Sequence, residues 1–391
     1  MRLRLADVVR AGAEEYLKGR SVPTVVHKAM RAIMACRTAA LGGHAGVCDA
    51  GHISVWYNAC HHRSCPRRAY QRVQRWLERQ ARILLGCAHH HVIFTIPHEL
   101  NGLWQLNQRA LGELLFASAR GALFVLAGER RYLGARPGAL MALHTWGQQL
   151  SLHPHVHCLV SAGGVDETGG WRGCRREHFL PAEPLKRLFR GKFLEGLRQL
   201  ARQGRLRLPE GWGVLEIERL GLQLRHKRWN VHVRERYRDP TAVLNYLGRY
   251  LHGGPFGEGR LVAFDGARVS FRYRDYRLGQ EKVMALPASE FLRRYLQHIP
   301  PAGFHMVRGY GLYRRGSHNN HLRDEIAAVI GENHELKAQL VAVPTAAWRP
   351  VSGATSCASC GSTVRRVVRL RPLSHRPPLP RPRPDPNPLA A

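Results

Sequence analysis

The run HPHVHCLV at residues 153–160 constrains the fold more than any other segment. In an extended strand, residues i and i+2 point to the same face, so His155 and His157 converge while Val156 turns the other way, into a core. Their Cα atoms then stand about 7 Å apart, which makes a bidentate metal site on a rigid element. A surface histidine pair is the alternative reading of these two residues, in a chain that holds 23 histidines. A third ligand has to come from elsewhere. Gln148, on the preceding strand, can be brought alongside through the tight connection QLSLHP, with His144 and His153 as competitors.

Charge narrows the partners. Sixty Lys and Arg against 28 Asp and Glu give a formal net charge of +32 in 391 residues. Such a field attracts polyanions, above all nucleic acid. No stretch approaches the ~18–20 uninterrupted apolar residues of a spanning helix, so a membrane surface is the weaker alternative. The acids in MRLRLADVVRAGAEEYLKGR argue against a secretory signal or transit peptide. Nine cysteines, an odd number, are too sparse for a disulfide scaffold, and a reducing cytoplasmic compartment is expected.

The organisation expected along the chain is a helical leader at 1–30, a metal-organised, zinc-binding module at 31–78, a main α+β sheet domain at 79–320, a helix at 321–341 and a disordered Pro/Arg-rich basic tail at 342–391. A helix is expected at 71–86. Strands are expected at 88–97, 139–148, 153–164 and 229–235, with a long helix at 101–129. Leu185, Leu188, Phe189 and Phe193 mark one face of a helix over 183–203. Asp265-Gly266 between two alternating runs signals a hairpin, and PASEFLRRYLQHI is expected to be a helix. Strands and helices interleave irregularly, so the fold class is α+β.

Two further constellations carry chemistry. Tyr246 and Tyr250, at i and i+4 of a helix opened by Pro240, share one face. Beside a metal-bound phosphate they would be successive nucleophiles; otherwise they are a core aromatic pair. Cys36, His44, Cys48, His52, Cys60 and Cys65 offer more than enough nitrogen and sulfur for one tetrahedral zinc, the alternative being loosely clustered thiols. The C-terminal pair Cys357 and Cys360 lacks a second pair in sequence and is weak evidence for metal. Arg-rich helices are expected at 63–82, 172–190 and 223–237, where they would track phosphates. Arg63, Arg67, Arg68 and Arg249 are the named candidates for DNA contact.

The segments ACRTAALGGH, YNACHHRSCP, HVIFTIPHELN, LHTWGQQLSLHPHVHCLV, LFRGKF, YLGRYLH, FRYRDY and GFHMVRGYGLY follow one another in an order that closely resembles the two-tyrosine HUH transposases of the insertion sequence ninety-one family. The resemblance runs over about residues 30–315. It implies an N-terminal zinc-binding domain, then an HUH nuclease domain with a central antiparallel sheet flanked by helices. His155 and His157 match the metal-binding pair, Tyr246 and Tyr250 the nucleophiles, and HVIFTIP a neighbouring core strand. Two departures stand out: Arg68 occupies the place of the last knuckle cysteine in CPRR, and CDAGH lacks a cysteine before Gly51.

The resemblance implies rolling-circle transposition. Mg2+ or Mn2+ would polarise a scissile phosphate of single-stranded or hairpin DNA at the element ends, and a tyrosine would form a 5′-phosphotyrosine. The second tyrosine would cut or accept the next end. Target DNA and host replication proteins are the further partners expected, with the protein cytoplasmic and on the nucleoid. A replication initiator of the same nuclease class, or a decayed zinc-containing DNA-binding protein without catalysis, are the alternatives.

Overall fold

The computed structural model describes residues 3–68, 75–80, 82–174, 180–237, 254–330, 356–357 and 359–372. Its centre is an antiparallel sheet of order β11-β4-β5-β3-β7, with β6 added to β5. These strands are β3 (His89–Thr95), β4 (Arg136–Trp146), β5 (Leu152–Val165), β6 (Trp171–Gly173), β7 (Asn230–Tyr237) and β11 (Val307–Gly311). The expected alternation in HPHVHCLV is present. Val156, Cys158 and Val160 face one core together with Val92 and Phe94 of β3, and Met141 and Leu143 of β4. His155, His157 and Leu159 face the opposite side.

The apolar face is covered by α3 (Asn101–Leu106), α4 (Gln108–Gly128), α5 (Ala182–Arg202) and α6 (Val214–His226). Phe189 and Phe193 of α5 place their rings 5.4 and 5.5 Å from Trp229. The single helix expected at 101–129 is two. Asn107 breaks it, donating through Nδ2 to Leu103 O and Arg207 O while its Oδ1 accepts from Arg207 N. By length and composition α4 alone among the described helices could cross a membrane, yet over half of it is buried in this core. On the other face, Leu140, Ala142 and Leu159 pack with Trp76, Leu84, Leu85, Leu312, Tyr313 and Ile326, the last from α8 (Ser317–Ile330).

A second core joins parts of the chain far apart in sequence. Helices α1 (Leu5–Leu17) and α2 (Thr24–Ala35) pack on the meander β8 (Leu261–Phe264), β9 (Arg268–Asp275), β10 (Gln280–Pro287) and on α7 (Ala288–Leu296). The β8–β9 turn is the expected one: Gly266 has φ +98° and Asp265 Oδ1 accepts from the backbone of Ala267 and Arg268. The two cores meet at the β4–β5 connection. Leu150 there is fully buried at φ +59°, a conformation costly for a branched side chain. Its carbonyl accepts from Gln297 Nε2 and His298 Nε2, both at 3.1 Å.

The third sheet has the order β12-β1-β2: β1 (Gly43–Cys48), β2 (Ile53–Tyr57) and β12 (Val364–Leu370). It corrects an expectation. Residues 364–370 were expected within a disordered tail, and they form a strand paired antiparallel with β1 from Gly43↔Leu370 to Cys48↔Val364. The Arg-rich segments are not continuous helices either, because Pro66–Arg68 is a short 3-10 turn and α6 ends at His226 before β7 begins.

Candidate metal centres

The sheet brings three imidazoles to one point. His144 ends the regular part of β4 and pairs with His155 across β5, and His157 lies two residues further along. Their ligand nitrogens all lie within 4.8 Å of one another. His155 Nε2 and His157 Nε2 are 3.1 Å apart, close to the ~3 Å between cis nitrogens that share one ion. His155 Nδ1 faces the carbonyl of His153 at 2.6 Å, so this nitrogen carries the proton and Nε2 keeps its lone pair for the cluster. His157 Nδ1 meets Nε2 of His91, from β3, at 2.8 Å.

Electrostatics keeps these groups neutral. Burial, then mutual repulsion, holds His144 and His157 well below the usual imidazole range. Burial pushes His155 and His91 down to about 4. Neutral imidazoles offer lone pairs without proton competition near pH 7, as metal binding requires. Arg234, exposed on β7, adds to the repulsion at both His91 and His157, and so puts a cation beside the cluster.

Gln148 lies elsewhere. It sits past the end of β4, with its amide donating to Tyr276 Oη at 3.1 Å and accepting from Arg274 N at 3.5 Å. The residue that lies beside His155 and His157 is His144, one of the two expected competitors. A register irregularity between His144 and Trp146 ends the simple alternation there, so counting along the strand does not carry Gln148 to the cluster. His153 is exposed, its ring 5.0 Å from that of His155. Tyr246, Tyr250 and Arg249 lie outside the described residues. The chain approaches them from Tyr237, whose ring is 6.4 Å from that of His91.

The sulfur ligands separate into two groups. Cys36, Cys60 and Cys65 form one, with Cys36 and Cys65 sulfurs 3.6 Å apart. Hydrogen bonds from Cys60 and Cys65 hold Cys36 well below the usual thiol range, and the hydrogen bond with Cys36, helped by burial, pushes Cys60 up to about 11. Cys48 and His52 are not part of this group, which corrects the single-zinc expectation. Strand β1 carries Cys48 about 17 Å from Gly43, to the far tip of the hairpin. There Cys48 and His52 meet Cys357 and Cys360. His44 belongs to neither group; it lines a surface groove with Cys60, His61 and Arg369.

Two of the arginines expected at DNA have internal partners. Arg67 pairs with Glu258 at 2.7 Å, and Arg63 Nη1 donates to Phe304 O at 3.3 Å. Arg68 closes the 3-10 turn Pro66–Arg68. Sequence reasoning missed His91 and Arg234. Three successive histidines opening a strand were the available signal for the first; nothing distinguishes Arg234 from the other arginines of its segment.

Two family models match this chain: one described as "Transposase zinc-binding domain" over residues 8–96, and one described as "Putative transposase" over residues 138–321. A histidine-faced sheet beside a cysteine-rich module in a strongly basic chain is thus the build of a transposase. A Sinorhizobium fredii protein named "Putative transposase y4qJ" is 39% identical over 315 residues, covering 78% of this chain and 79% of that protein. The transposase for insertion sequence element IS801 of Pseudomonas savastanoi pv. phaseolicola is 32% identical over 291 residues, covering 71% and 68%. The chain belongs to the IS91 family of insertion-sequence transposases, with an N-terminal zinc-binding domain. No solved structure matches it.

Proposed function

We propose that this transposase cleaves and rejoins single-stranded DNA at the ends of an insertion sequence, through 5′-phosphotyrosine intermediates on Tyr246 and Tyr250. The observation that carries the reading is the convergence of His144, His155 and His157, all neutral, on the face of the central sheet opposite the main core. With three neutral nitrogen donors and no carboxylate among them, the set suits Mn2+ better than Mg2+. A bound divalent ion supplies charge neutralisation and orientation at the scissile phosphate. His155 and His157 hold their lone pairs inward through the His153 carbonyl and His91. Arg234 offers a cation to a non-bridging phosphate oxygen. A tyrosine oxygen forms its bond to phosphorus as the P–O3′ bond breaks, and the departing 3′ oxygen takes up a proton. One phosphoester replaces another, so the reversal by a 3′-hydroxyl rejoins strands without an external energy source. Tyr246 is nine residues beyond Tyr237, a span of at most about 30 Å, so it can reach the histidines from the end of β7. Reduced thiols suit the cytoplasm, where target DNA is met.

The test is incubation of the full chain with labelled single-stranded DNA from the element's end and Mn2+, followed by a denaturing gel. A metal-dependent covalent adduct is expected, lost in His157→Ala and in the Tyr246→Phe/Tyr250→Phe double variant. Tight binding to an authentic end without cleavage would overturn the proposal and leave a DNA-binding protein.

A further inference from the structure

We infer that Cys48, His52, Cys357 and Cys360 form a zinc centre of their own, separate from the Cys36–Cys60–Cys65 group, which closes the N-terminal zinc domain with a segment from the other end of the chain. The family's zinc-binding match ends at residue 96 and its transposase match at residue 321, so Cys357 and Cys360 fall outside both. The four ligand atoms lie within 4.8 Å of one another. Cys48 Sγ is 3.6 Å from both His52 Nδ1 and Cys360 Sγ, and His52 Nδ1 is 3.3 Å from Cys360 Sγ. Ligands about 2.0–2.3 Å from one tetrahedral zinc stand roughly 3.3–3.8 Å apart, so these separations need no rearrangement. A disulfide would need sulfurs about 2.05 Å apart and would leave the third cysteine and the histidine without a role.

Two turns of matching design deliver the ligands. In the first, Gly51 N donates to Cys48 O and Cys48 N to His52 O, with Gly51 at φ +79°. In the second, Gly361 N donates to Cys357 O and Cys357 N to Ser362 O, with Gly361 at φ +74°. The left-handed glycine lets each chain fold tightly back so that two ligands point the same way. The missing cysteine of CDAGH is then no defect, because the next-but-one donor, His52, takes the fourth corner. The strands support the same pairing independently: β12 follows the second turn directly and adds to β1, the strand that ends at Cys48. Gly46 makes that approach close, since a Cβ there would lie 2.5 Å from Val364 Cγ1. The entropic cost of bringing residues 48 and 360 together grows only slowly with loop length, and metal ligation offsets it.

The experiment uses the full chain, purified with zinc, and reads metal content and cysteine alkylation rather than activity. In the wild type, Cys48, Cys357 and Cys360 should resist N-ethylmaleimide although Cys360 is exposed, and should become reactive together when a chelator is added. The Cys357→Ser/Cys360→Ser double variant should lose one equivalent of zinc and unmask Cys48, while Cys36, Cys60 and Cys65 stay shielded. Cys36→Ser should do the converse and leave Cys48 protected. Unchanged zinc content in the double variant, or a Cys360 in zinc-loaded wild type that alkylates as fast as an unstructured thiol, would overturn the inference. The wild-type alkylation result stands even if the variants fail to fold. None of these readouts depends on DNA cleavage.

Discussion

Lowering the pH in the presence of a chelator should destabilise the fold through its buried histidines before its carboxylates protonate. His89, His91 and His298 are 0%, 5% and 4% exposed, and burial pushes them down to about 3, 4 and 4. Each has partners that suit the neutral ring. Tyr313 Oη, which accepts from Leu85 N, donates to His89 Nε2 at 2.5 Å. His298 donates to Leu150 O and accepts from Thr145 Oγ1 at 3.1 Å. In the unfolded chain the same rings titrate near the ordinary 6.5. The folded values lie below the unfolded one, so stability is fully present above about pH 7. It is lost as pH falls below 6.5, because the unfolded chain binds protons that the folded one excludes. Between pH 7.5 and 5.5 each histidine costs about 1.4 kcal/mol, and three together cost about 4 kcal/mol against a typical total of ~5–15 kcal/mol. Urea unfolding followed by tryptophan fluorescence, at both pH values with EDTA, measures the loss directly. His89→Gln should reduce the difference by about 1.4 kcal/mol. A difference below about 1 kcal/mol in the wild type would refute the claim that these rings stay neutral.

Three other predictions rest on single features. Trp229→Ala removes a ring packed on Phe189 and Phe193 and a hydrogen bond from Nε1 to Leu224 O; it should cost about 3–5 kcal/mol in urea unfolding, and a loss below ~1 kcal/mol would mean that the helical layer closes over the gap. Gly309→Ala would place a Cβ 1.9 Å from the Tyr313 carbonyl oxygen; edge strand β11 must move, at about 1–3 kcal/mol, and an unchanged melting temperature would contradict that. Binding of single-stranded DNA should weaken with salt by about −0.7 in log–log slope per phosphate contacted, so a slope of roughly −3 or steeper is expected; a flat dependence would leave the net charge of +32 without a role in binding.

Local pattern carried much of the fold. Alternation exposed β3, β4 and β5, the Asp265-Gly266 turn exposed β8 and β9, and Leu185, Phe189 and Phe193 exposed the buried side of α5. What escaped was set by distant partners. The helical pattern continues through Asn107, and only its bonds to Arg207 reveal the break. Nothing local shows that Val8 and Ile33 share a core with Phe271 and Phe291. The site was half legible. His155 and His157 follow from strand geometry, but choosing His144 over Gln148 depends on a register irregularity at the end of β4. Residues 364–370 are arginine-rich and flank a proline-rich stretch, so composition argues for disorder; the partner that orders them, β1, lies at the other end of the chain. For the same reason Cys357 and Cys360 look isolated until Cys48 and His52 are beside them.

The most direct test of the central claim is mass spectrometry of the protein after reaction with its own end DNA and Mn2+, with nuclease and protease digestion. The account predicts a peptide carrying a nucleotide through a phosphodiester on Tyr246 or Tyr250, and none when His157 is replaced by Ala. Cleaved DNA with unmodified tyrosines throughout would show that water, not a tyrosine, attacks the phosphate, and would contradict the account.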